Sequence, residues 1–240
     1  MELSSNTPIT YEVPTVSEGG RRLVVSDIHG CIRTFLRLLD RVELTKSDQL
    51  FLLGDYIDRG PNSKAVIDTL LDLKEEGYQL YMLRGNHEQM LLDYLSLPAE
   101  ELEQYVKTCR TNNLFDKHMQ MLEPYKTWMS SLPFYFDLGD YYLVHAGFNF
   151  EVPNPFEDTY HMLWIRWNTV PAEKLNGRKL IHGHTPMPLS AIEREIEKNA
   201  AKICLDNGCV YTMMDKGVGH LLCFNLDTSE LTIQANIEDI

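Results

Sequence analysis

The chain has 240 residues, 44% of them hydrophobic and 24% charged, with a formal net charge of −13. This is the composition of an ordinary globular protein large enough to bury most of its apolar surface, and its negative balance argues against an open groove for long nucleic acid, which it would repel. Five cysteines without tight spacing make no disulfide framework, no apolar run approaches the roughly 20 residues of a membrane span, and the opening residues show no basic segment followed by an apolar one, so the expected compartment is the cytoplasm.

In chain order, residues 1–18 carry Ser, Thr, Pro and Gly with little periodicity and read as an N-terminal extension, and 19–240 read as one domain. Apolar runs at 23–26, 50–53 and 80–83 alternate with helical spacing, first at Ile32, Phe35, Leu36 and Leu39, then at Val66, Ile67, Leu70 and Leu71. Strand and helix in alternation predict a largely parallel, buried sheet with its functional loops at the carboxyl ends of the strands. Residues 89–140 change to helical pieces, at 98–109 and 119–129, and read as a helical insertion beside the active site. Its Leu, Met and aromatic residues fit scaffold packing as well as substrate contact. Later runs at 142–144, 179–181, 203–205, 221–224 and 231–234, with short turns such as Asp206-Asn207-Gly208, predict a more antiparallel second half.

Five of these runs end in metal-binding or phosphate-binding side chains: SDIHG at 26–30, GDYIDRG at 54–60, RGNHE at 84–88, HAG at 145–147 and HGHT at 182–185. One Asp-x-His arises easily by chance; five such clusters in order do not. Carboxylates joined by Asn and His form a mixed oxygen and nitrogen donor set that borderline metals accept. Together they point to hydrolysis of a phosphate ester. If the extended conformation continues past the first strand, Asp27 and His29 leave on one face and share a metal. Asp55 has two carboxylate oxygens, one for each of two ions held roughly 3.5–4 Å apart.

The order Asp27/His29, Asp55/Asp58/Arg59, Asn86/His87, His145, His184 resembles the metallophosphoesterase superfamily. Within it, GDYIDRG followed by GNHE is similar to the phosphoprotein (Ser/Thr) phosphatase branch, particularly its small bacterial and phage members. The resemblance implies an α/β fold, a calcineurin-like sandwich of two mixed sheets flanked by helices. It also implies six metal ligands, Asp27, His29, Asp55, Asn86, His145 and His184, choosing the histidine after the glycine where His182 competes on geometry alone. Arg59 offers a planar fork for phosphate, and Arg166 matches the family's second phosphate-binding arginine. His87, directly after Asn86, is expected to face the leaving group as general acid, with Asp58 fixing its tautomer and Asn86 also near the phosphate.

The expected cofactors are two divalent ions, manganese first, with iron or zinc also suited to these donors. Two dications, two aspartates and a bridging hydroxide sum to about plus one, enough to attract a phosphate dianion. The expected reaction is attack by that hydroxide on a phosphomonoester, a phosphoprotein or a small phosphoester, with phosphoserine or phosphothreonine first. A dinucleoside tetraphosphate hydrolase is the alternative, since it shares the metal core, although such enzymes usually carry Trp where Thr185 stands. Residues 110–113, Arg-Thr-Asn-Asn, also replace the Gly-Gly-x-x-Thr usual in bacterial phosphatases. A non-catalytic metal-binding protein is disfavoured by the intact His87, Asp58 and Arg59, and a Cys-x5-Arg loop from Cys31 to Arg37 by its helical periodicity and lack of glycine.

Overall fold

A computed structural model describes residues 12–166, 170–211 and 217–239. Its elements are β1 (Arg22–Val25), α1 (Ile32–Arg41), β2 (Gln49–Leu52), α2 (Ser63–Glu75), β3 (Gln79–Met82), α3 (Asn86–Tyr94), α4 (Ala99–Cys109), α5 (Tyr125–Ser131), β4 (Tyr135–Asp137), β5 (Tyr141–Val144), α6 (Thr159–Trp164), β6 (Lys179–His182), α7 (Leu189–Glu197), β7 (Lys202–Cys204), β8 (His220–Asn225) and β9 (Leu231–Ala235). One sheet runs β3-β2-β1-β8-β9 and the other β4-β5-β6-β7.

The strands are continuous apolar runs because both faces of each sheet are covered. Val24 of β1 and Phe51 of β2 point between the sheets, where they meet Leu143, Ile181 and Ile203, whereas Leu23, Val25, Leu50 and Leu52 point outward under the helices. The far face of the second sheet buries Tyr142, Val144 and Leu180 against Phe148, Met162 and Leu163. Period-two alternation thus sorts each strand between two cores. Helix α1 buries Phe35, Leu38 and Leu39, while Leu36, expected on its apolar face, is 48% exposed.

The predicted parallel unit is present: β1 pairs with β2, and β2 with β3, both parallel. The expected antiparallel second half is only partly right. β8 pairs antiparallel with β1 and β9, and β4 with β5, but β5, β6 and β7 are parallel. Crossovers through α6 and α7 allow this, and the turn at Asp206 carries the chain from one sheet to the other instead of closing a hairpin. The three-residue β4 had no apolar alternation long enough to read. Within the insertion α4 matches its prediction, but residues 119–124 are not helical and α5 starts only at Tyr125. Of the N-terminal extension, residues 1–11 lie outside the described residues; Pro14 accepts a hydrogen bond from the Gln49 side chain.

Candidate active site

All five motifs converge at the carboxyl ends of β1, β2, β3, β5 and β6. Asp27, His29, Asp55, Asp58, Asn86, His87, His145 and His184 are each at most 6% exposed. The geometry is made by strained turns rather than continued strands. His29, Asp55, Asp58, Arg59 and His184 all have positive φ, between 48° and 70°, a region uncommon for residues with a Cβ and concentrated at functional sites. The sequence predicts that Asp27 and His29 share a face by continued strand alternation, but β1 ends at Val25 and His29 has φ 48°, so a turn brings them together instead. The chain turns left-handed at His29, and its backbone N–H donates to the Asp55 carbonyl at 2.8 Å.

The Asp55 carboxylate stands at the centre. One oxygen is 3.5 Å from His29 Nε2 and the other 3.5 Å from His145 Nε2. Both rings are oriented from behind: His29 Nδ1 donates to the Ile57 carbonyl at 2.8 Å and His145 Nδ1 to that of Leu53 at 2.9 Å. Each Nε2 therefore presents a lone pair to the carboxylate. The Asn86 amide oxygen lies 2.9 Å from His145 Nε2 and 2.8 Å from His184 Nδ1, and His184 Nε2 is buried without a partner. Asp27 accepts from the His184 backbone N–H at 3.1 Å and from the Ser26 hydroxyl.

Lone pairs facing lone pairs in a buried place are costly unless a cation lies between them. The titration tendencies agree. Burial, then the charges of Asp27 and Glu88, drive Asp55 well above the usual carboxylate range. Burial first lowers His29, His145 and His184, the last to about 2, so the imidazoles are neutral donors of the kind a metal takes. Two groups of candidate ligands follow, His29/Asp55/His87 and Asp55/His145/His184, sharing Asp55. The residues fit a pair of cations.

His87 is the exception within the first group, because both its nitrogens are engaged. Nδ1 is 2.5 Å from Asp58 Oδ2 and Nε2 is 3.0 Å from an Arg59 guanidinium nitrogen. Burial pushes Asp58 up to about 7 and His87 down to about 3, as fits a buried pair sharing one proton. Arg59 also donates to the Tyr211 hydroxyl at 3.0 Å. Arg166 lies at the rim, exposed, 3.5 Å from Thr185 Oγ1.

Four partners carried no role in the sequence reading: Glu88, Tyr105, Cys109 and Tyr211. Glu88 accepts from the backbone N–H groups of Gly85, Asp55 and Tyr56 at 2.8–2.9 Å, tying the second motif to the third. Its place three residues after Gly85, at the start of α3, is the spacing of a capping residue and could have revealed it. Tyr105 of the insertion donates to Asp58 Oδ2 at 2.7 Å, and the Arg59 N–H donates to the Cys109 carbonyl. Neither this contact nor that of Tyr211 has a local signal.

The family model for calcineurin-like phosphoesterases matches residues 20–223. The chain belongs to this family. It is 30% identical over 129 residues to the symmetrical bis(5'-nucleosyl)-tetraphosphatase of Nitrosomonas europaea, a stretch covering 51% of this chain and 43% of that one, so the match spans less than half the relative's length. It is 41% identical over 66 residues, 27% of this chain and 18% of the other, to a Caenorhabditis elegans protein provisionally named a serine/threonine-protein phosphatase. The fold is that of a crystal structure provisionally assigned as a diadenosine tetraphosphatase, with a TM-score of 0.65 at 20% identity, covering 96% of this chain and 99% of that one. The chain's described residues carry two groups of candidate metal ligands in that family's fold, and no helix among them is long and apolar enough to cross a membrane.

Proposed function

We propose that this enzyme hydrolyses a bis(5'-nucleosyl) tetraphosphate or a closely related nucleotide phosphoanhydride. The supporting observation is the Asp55 carboxylate set between the His29 and His145 imidazoles, with the His87–Asp58 pair and Arg59 beside it. The sequence reading put a phosphoserine or phosphothreonine protein first. The tetraphosphatase likeness, which spans about twice as much of the chain as the phosphatase one, favours the dinucleotide.

In this reading Asp27, His29 and Asp55 hold one cation, and Asp55, Asn86, His145 and His184 the other, with manganese the first candidate. Bound there, the pair would neutralise phosphate charge and activate a water near neutral pH. The remaining tasks belong to the chain. Arg59 leaves His87 Nε2 to grip phosphate oxygens with its planar fork. That frees Nε2 to carry a proton to the leaving oxygen, while Asp58 holds Nδ1 and so the ring's orientation. Asn86 and Arg166 are the further phosphate contacts in this reading.

The test is a purified-protein assay with added manganese, comparing diadenosine tetraphosphate, a phosphoserine or phosphothreonine peptide and an aryl phosphate. The expected result is the highest kcat/KM on the dinucleotide. A higher kcat/KM on the peptide would restore the protein phosphatase reading, which Thr185 favours.

A further inference from the structure

Helix α6 sits against the candidate active site. Its Met162 carbonyl accepts the Ala146 N–H at 2.8 Å, one residue after His145, and Asp158 caps its first turn through the His161 N–H. Met162 and Leu163 are buried in the core beyond the second sheet. Trp164 is half-buried at the edge of that core, and Tyr160, one turn before it, lies 29° from parallel to it with ring centroids 6.5 Å apart. The Trp164 ring stands edge-on to His184 at 6.3 Å, and Tyr160, 52% exposed, is one of three large exposed hydrophobic side chains among the described residues.

We propose that Trp164 and Tyr160 form a stacking shelf for the nucleobase of a nucleotide whose phosphate is held at the candidate active site. The inference rests on the nucleotide reading above and names the part of that substrate which the metal-binding residues do not touch. A half-exposed phenol beside an indole is a surface that a base can cover through its π-face. Continuity with the site supports this occupant. From His184 outward the order is imidazole, indole, phenol, and Arg166, two residues after Trp164, reaches Thr185 next to His184. One end of the path thus offers cationic donors for phosphate and the other bare aromatic surface. Stacking reads no base edge, so the shelf should accept purines and pyrimidines alike.

Calorimetric titration of the manganese-loaded protein with adenosine 5'-monophosphate and with ribose 5-phosphate isolates the base, because the second probe keeps phosphate and sugar. The wild type should bind the nucleotide roughly 5- to 150-fold tighter. Tyr160→Ala and Trp164→Ala should each pull that ratio toward one, and Trp164→Phe should keep most of it. Tyr160→Ala alters a half-exposed ring, so a folding failure at Trp164 would leave the idea testable. Equal affinities in the wild type, or a ratio unchanged in both alanine variants, would overturn the shelf. A sensitive ratio without hydrolysis of diadenosine tetraphosphate would remove the dinucleotide reading and leave the shelf standing.

Discussion

The two sheets contribute to the site in different ways. Loops from the first sheet are bound to one another through their backbones: the N–H groups of Ile28 and His29 donate to the Asp55 carbonyl, that of Gly30 to the Tyr56 carbonyl, and the Glu88 carboxylate accepts from three more N–H groups. They are packed so closely that a Cβ on Gly60 would overlap the His29 carbonyl, and one on Gly85 the Asp55 carboxylate. Loops from the second sheet are joined by the Gly183 N–H donating to the His145 carbonyl at 2.8 Å, and their histidines are set by the first sheet's frame. His145 is oriented by the Leu53 carbonyl, and the His184 N–H by Asp27. The first sheet builds a cradle, and the second brings side chains to it.

The sharpest way to break this comparison is at Asp55. Asp55→Asn should lower affinity for both ions by more than the roughly 10- to 100-fold typical of a lost outer partner, whereas His184→Asn should weaken one ion only. Metal analysis after dialysis reads both, and equal loss in the two variants would refute the asymmetry. Next in size, His87→Asn should cost about 10²- to 10⁴-fold in kcat with metal content retained. Metal loss on the same scale would make His87 a ligand instead.

Glu88→Gln tests the frame itself. The amide turns an NH₂ toward backbone donors, and losing a charged acceptor costs about 1.5–3 kcal/mol. At about 2–4 °C per kcal/mol for a chain of this size, thermal unfolding should move down by roughly 3–12 °C, and metal affinity should fall as well. An unchanged Tm would show that the motifs do not need this tie. Tyr105→Phe probes the insertion: if Tyr105 serves the dyad, kcat should fall more for alkyl than for nitrophenyl leaving groups, and a uniform loss would mean packing alone.

The smallest effect lies far from the chemistry. Burial alone would raise the Asp48 pKa, but the Arg21 side chain and the Thr45 and Arg21 N–H groups outweigh it and hold the carboxyl at about 2. A depressed carboxylate stabilises above its unfolded pKa and loses that contribution as pH falls through its folded value. With Arg21 partly exposed, solvent screening keeps the contribution to about 1 kcal/mol. The gap in unfolding free energy between wild type and Asp48→Asn should therefore be full above pH 4 and close toward pH 2; a gap that persists at pH 2 would deny the linkage.

Much of the fold was legible because alternation and turn residues act locally. The runs ending at Asp27, Asp55, Asn86, His145 and His184 are all strand ends in the structure. The direction of β6 and β7 was not legible, since an apolar run reads the same whichever neighbour it pairs with. Residues 119–124 misled for a related reason: the half-buried Met119, Met121 and Leu122 pack against the core from a loop as well as they would from a helix. At the site, motif order predicted that Asp27, His29, Asp55, Asn86, His145 and His184 would meet. It did not reveal that Tyr105 would hold Asp58, or that Tyr211 would hold Arg59 from 152 positions away.

The sequence alone determined the donor inventory, the order of the loops and the family, because each is written in short segments whose chemistry does not depend on distant partners. Tertiary structure alone decided which lone pairs face Asp55, which carbonyls orient His29 and His145, and which aromatic rings flank His184. Those outcomes depend on contacts between residues far apart in the chain, and only packing two sheets against each other brings such residues within a few ångströms.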